Sequence, residues 1–184
     1  PAPSHAHAVG VDCSTADGTQ VAFTPWSGGE IAYAGDGGEA SVYLTGDVAL
    51  DATLTVPAAS TLNLCLDGHV LKGPGGNAGV IQVAPGAALN LCDCNSLNES
   101  HQFTPDESGL WVLEEETGTQ TLTGGVITGG TGGPTGCGGG VFVGDLSGGA
   151  AFHLYGGNIA GNHSGGGGGV CVFGSEALPG GLQP

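Results

Sequence analysis

Apolar residues recur at alternate positions along this chain in short β-branched runs such as GVIQV, GGVFV and GGVCV, each bounded by glycine. That period of two predicts half-buried strands and no helices. The runs also repeat. TLNLCLD (61–67) matches ALNLCD (88–93), so that Leu62, Asn63, Leu64 and Cys65 fall over Leu89, Asn90, Leu91 and Cys92 at an offset of 27, and Val56 keeps the same step to Val83. Downstream, GGVITGG (124–130) matches GGNIAGN (156–162) at 32, and GGGVFV (138–143) matches GGGVCV (167–172) at 29.

Repeats of this length, built from short strands and glycine turns, predict an all-β solenoid in which each repeat is one turn of a parallel β-helix. Stacked strands would lie about 4.8 Å apart, with Leu62, Leu64, Leu66, Leu89 and Leu91 inward and Asn63 and Cys65 facing the other way. Ile81 and Val83, Val141 and Val143, Phe152 and Leu154, and Val170 and Val172 share the inward parity. An antiparallel β-sandwich is the rival, but it does not require matched residues at a fixed offset. The repeats predict about five coils at this spacing. Residues 1–40, aperiodic and carrying Phe23, Pro25 and Trp26, are expected to be an N-terminal leader and cap. Residues 41–174 form the expected solenoid, interrupted by an insertion at 95–120, and 175–184 read as a flexible C-terminal tail.

With 40 glycines and 10 prolines in 184 residues, low complexity has to be argued against. The hydrophobic content of 39 % and its β-branched clustering are what argue against it. One Lys+Arg against 17 Asp+Glu gives a formal charge of −16, which excludes a nucleic acid or an anionic membrane as partner. No apolar run approaches the roughly 18 residues of a spanning helix. The chain contains no Met, which predicts a processed or trimmed product, and the acidic, Gly-rich composition favours a secreted or cell-surface location.

The strings LNLCLDGHVLKG, ALNLCDC, GCGGGVFV and LYGGNIAGNHSGGGGGVCVF, behind HAHAVGVDC and FTPW, resemble the repeat units and leader of large surface proteins of gut Gram-positive bacteria. The resemblance covers most of residues 5–173. It implies a right-handed, pectate-lyase-like parallel β-helix, an extracellular location and an adhesin-like role; members of that group are mostly uncharacterised. The long insertion departs from their pattern.

Candidate chemistry is sparse. A uronate lyase needs cationic groups, and the chain has no Arg and only Lys72. Glycoside hydrolysis needs only two carboxyl groups at a set separation, and Asp67 and Asp93, one repeat apart, are the candidate pair. Both also suit turn positions, the preferred reading. His5, His7 and Cys13 offer zinc-type donors, with Cys94 or His101 as completing ligands, although three donors near a chain end do not close a site. Cys65 and Cys92, equivalent on neighbouring repeats, are within disulfide reach or form a stacked thiol pair. Trp111 with Glu114, Glu115 and Glu116 on the insertion is the expected ligand contact.

The expectation is thus a non-enzymatic structural or adhesive extracellular module with no cofactor, contacting host or microbial glycans or proteins. The alternatives are a glycan-active enzyme using Asp67 and Asp93, or a subunit of a head-to-tail filament that self-associates through an uncapped C-terminal coil.

Overall fold

The computed structural model describes residues 5–35, 37–132 and 136–173; the expected tail at 175–184 lies outside them. In chain order the strands are β1 (His5–His7), β2 (Val21–Trp26), β3 (Glu39–Leu44), β4 (Val48–Ala49), β5 (Leu54–Val56), β6 (Thr61–Cys65), β7 (Val70–Lys72), β8 (Ile81–Val83) and β9 (Ala88–Cys92). They continue as β10 (Ser100–Pro105), β11 (Trp111–Leu113), β12 (Gln120–Thr123), β13 (Val126–Thr128), β14 (Val141–Val143), β15 (Ala151–Leu154), β16 (Asn158–Ile159) and β17 (Val170–Val172). A single 3-10 turn, Val11–Cys13, is the one helical element among the described residues.

The fold is all-β, but the expected right-handed parallel β-helix of about five coils is corrected by how the strands are shared out. They form four separate sheets: a mixed one in the order β1-β2-β3-β6-β9-β15, an antiparallel one, β11-β10-β12, and two parallel ones, β16-β13-β7-β4 and β17-β14-β8-β5. β1 runs antiparallel to β2, and β10 antiparallel to both β11 and β12. The physical reason is that a repeat specifies which strands become neighbours, not how separate sheets close. Residues 5–7 and 100–123 carry no repeat and pair antiparallel instead, while β2 joins β1 to the parallel strand β3.

Where strands pair parallel the repeats do set the register. Leu62, Asn63, Leu64 and Cys65 of β6 lie opposite Leu89, Asn90, Leu91 and Cys92 of β9. Val56 lies opposite Val83, and Val141, Phe142 and Val143 opposite Val170, Cys171 and Val172. One apolar cluster gathers the inward residues, including Trp26, Leu62, Leu64, Leu66, Leu89 and Leu91 together with Ile81, Val83, Val141 and Val143. The outermost strands depart from this pattern, since Leu154 on β15 is 50 % exposed and Val172 on β17 is 68 % exposed.

Close stacking needs glycine where backbones meet. A Cβ on Gly140 would come within 2.5 Å of the Gly169 carbonyl oxygen, so no side chain fits there. The outer face of the six-stranded sheet is covered as well. Phe23, with Val9, Val21, Tyr43 and Tyr155, packs over Cys65 and Cys92, because the N-terminal segment folds back until the 3-10 turn meets β9.

Leu64→Ala, at a fully buried position, is expected to lower the unfolding free energy by ~2–5 kcal/mol in chemical denaturation. Leu154→Ala on the outermost strand is expected to change it by less than ~0.5 kcal/mol. Equal losses at the two positions would contradict the core assigned here.

Candidate functional site

β1 carries His-Ala-His, and in a strand residues two apart share a face. Pairing with β2 places His5 opposite Phe23 and His7 opposite Val21. The His7 ring stacks on Phe23 with centroids 4.2 Å apart, and the His5 ring stacks on Tyr43 at 4.0 Å. The two imidazoles meet edge to face at 5.1 Å. Aromatic neighbours therefore hold both rings against the sheet's outer face, where Cys65 closes β6 and Cys92 closes β9.

Cys94 lies two residues beyond Cys92 on the same parity, and its Sγ is 3.3 Å from that of Cys65 and 3.2 Å from His5 Nε2. Ligand atoms of His5, His7, Cys65 and Cys94 all lie within 4.8 Å of one another. Cys13 also comes near the thiols: Asp12 and Cys13 both take left-handed backbone angles, φ 53° and 54°, and Cys13 bears on the ionisation of Cys92 and Cys94. At Cys94 the contact with Cys13 favours the thiolate. The Cys65 thiol, burial and Asp67 outweigh it, and the Cys94 thiol is held well above its ordinary value. All six cysteines are free thiols, including the registered pair Cys65 and Cys92.

His7 is oriented by its own backbone. Its Nδ1 lies 2.7 Å from the Ala8 carbonyl oxygen and must donate to it, which leaves the Nε2 lone pair directed elsewhere. That nitrogen is buried and has no hydrogen-bond partner.

The candidate carboxylates serve different faces. Asp93 is 3 % exposed, and its oxygens accept the backbone N–H groups of Gly68 at 2.8 Å and Gly125 at 2.7 Å. It ties together the turns that lead into β7 and β13. Asp67, in a left-handed turn, instead accepts the Cys94 thiol at 3.3 Å. His101 does not join the cysteines. Its Nε2 meets the Gly68 carbonyl oxygen at 2.7 Å and its Nδ1 meets Glu115 Oε1 at 2.8 Å, so both ring nitrogens donate. Burial opposes the charged ring, but those two hydrogen bonds and the Glu115 carboxylate raise its pKa above the ordinary 6.5.

Glu115 is thereby engaged by His101 at the edge of the antiparallel sheet, and Trp111, Glu114, Glu115 and Glu116 are all exposed. The sequence reading missed Tyr33, which lines a hollow of about 690 Å³ with Glu30 and Asp51. Its hydroxyl has no partner, and burial raises its pKa to about 12. No family model matches the chain, and no curated protein or solved structure matches it either.

Two outcomes are expected. Asp93→Asn puts an amide donor against a backbone N–H and lowers stability by ~1–3 kcal/mol in chemical denaturation. A raised folded-state pKa at His101 gives stability that is complete below about 6.5 and is lost as pH rises through the folded value. Unfolding midpoints measured from pH 5.5 to 8.5 should therefore fall across that window in the parent, and Glu115→Gln should flatten the slope.

Proposed function

We propose that this chain is a non-enzymatic structural or adhesive module, displayed outside the cell, that presents sheet surfaces to glycans or proteins. The observation that carries the reading is the state of Asp93. A retaining glycosidase needs two carboxyl groups facing one open cleft, whereas Asp93 is buried and held by the Gly68 and Gly125 amides. The likeness of the repeat strings to those of Gram-positive surface proteins supports the extracellular placing.

The proposed contact is Trp111, 42 % exposed beside Leu110 at 44 % on the antiparallel sheet, flanked by Glu114 and Glu116. An aromatic face of this kind stacks on sugars and anchors protein interfaces. A second reading, self-association, draws on Leu154 and Val172, which are exposed on the outermost strands β15 and β17. Among the described residues these strands have no further neighbour, and strand edges of this kind template further pairing.

Screening the intact chain against arrayed glycans and extracellular-matrix proteins is expected to find a ligand whose binding weakens at least ~10-fold in Trp111→Ala, the range of an anchoring aromatic. The same glycans should be recovered uncleaved, and turnover that disappears in Asp67→Asn would overturn the reading. Sedimentation over a range of concentrations tests self-association; an unchanging monomer would remove it.

A further inference from the structure

We propose that His5, His7, Cys65 and Cys94 bind one zinc ion as a structural S2N2 centre. Two thiolates and two neutral imidazoles are a preferred tetrahedral donor set for zinc. In such a tetrahedron, ligand atoms would be roughly 3.3–3.8 Å apart, given Zn–N and Zn–S bonds near 2.0 and 2.3 Å. Cys65 Sγ to Cys94 Sγ at 3.3 Å and Cys94 Sγ to His5 Nε2 at 3.2 Å are a few tenths of an ångström closer than the ~3.8 Å and ~3.5 Å edges of such a tetrahedron, so the donors are gathered and spread slightly to admit the ion. The four donors converge from three separate parts of the chain, β1, the end of β6 and the residue two beyond β9.

An independent observation points to the same place. His7 is only 9 % exposed, and its Nε2 is buried without a hydrogen-bond partner. A buried polar atom left unpaired costs about 1–3 kcal/mol, and a metal bond removes that cost. Its Nδ1–H on the Ala8 carbonyl is the outer contact that fixes a metal-binding histidine's tautomer and ring plane.

Charge balances too. Each cysteine releases its thiol proton to solvent as its sulfur bonds to the ion, so one Zn²⁺ and two thiolates make a neutral centre, which a partly buried face tolerates. A chain of formal charge −16 draws cations in general. Cys92 turns its thiol to the Leu64 carbonyl oxygen at 3.5 Å, and we place it and Cys13 outside the four ligands. Bound zinc would tie the three-residue β1 and the covering N-terminal segment to β6 and β9.

The test uses the intact chain, reduced and freed of metal, with Zn²⁺ and Co²⁺ as probes. One zinc per chain is expected by native mass spectrometry, with two protons released per ion. Co²⁺ should give intense tetrahedral d–d bands and a thiolate-to-metal charge-transfer band. Zinc should raise the unfolding temperature and shield Cys65 and Cys94 from alkylation. Cys137 and Cys171, which are free, partly exposed and outside this cluster, should stay reactive.

Because Cys65 is fully buried, the deciding variants are Cys94→Ser at an exposed position and His5→Gln. Each should weaken binding by more than about 100-fold, beyond the usual loss of an outer-shell partner. Cys13→Ser should keep the one-to-one stoichiometry. Absence of zinc uptake by the folded, reduced chain overturns the proposal, as does uptake unchanged in Cys94→Ser. A Cys65–Cys94 disulfide whose reduction yields no zinc-binding protein also overturns it.

Discussion

Parallel, in-register pairing at a strand spacing of about 4.8 Å is the constraint from which most of this structure follows. Whatever occupies one strand must tolerate its counterpart directly above it. Leucine over leucine and valine over valine satisfy that on the inner side, as Leu62 over Leu89 and Val56 over Val83 do. On the outer side the stack is polar and must be self-complementary. Asparagine serves because its amide donates upward and accepts below: Asn90 donates to Asn63 at 2.8 Å, and His153 continues the row on Asn90 at 2.8 Å. Ionised side chains cannot stack this way, since like charges directly opposite one another repel. Among the described strands only Glu39 is acidic. The other described acids lie in turns and connections, where Asp106 and Asp145 accept nearby serine N–H and hydroxyl groups that pull their pKa values down.

The same constraint explains what was legible in the sequence. An offset of 27 aligns four consecutive residues of β6 with β9, and alternation assigns their faces. Register, parity and most of the core are therefore written locally. Closure is not written locally. The division into four sheets depends on how short connections turn between strands, and on segments that obey no repeat. His5–His7 and Ser100–Thr123 pair antiparallel because each has a nearby partner and no equivalent elsewhere to stack upon.

The candidate centre was half legible for a related reason. Parity alone puts Cys65 and Cys92 on the outer face, and Cys94 follows two residues later. What the repeat could not supply is the cover over that face. The histidines arrive from the aperiodic N-terminal segment, guided by stacking on Phe23 and Tyr43, two aromatic residues that have no place in the 27-residue pattern.

The tripeptide Cys92-Asp93-Cys94 joins these levels. Alternation sends the middle residue to the opposite side from its neighbours, so one stretch of chain addresses both surfaces of the sheet. Asp93, turned inward, accepts the amides of two turns 57 residues apart in sequence, Gly68 and Gly125, and fixes where β7 and β13 begin. Cys92 and Cys94 turn outward, and Cys94 meets the histidine strand. Asp93 cannot swing out toward a substrate without leaving two buried N–H groups unpaired, a cost of roughly 1–3 kcal/mol for each. The contact that holds the interior together thus commits Asp93 to the inner side, while its two neighbours turn to the outer face with the thiols and imidazoles.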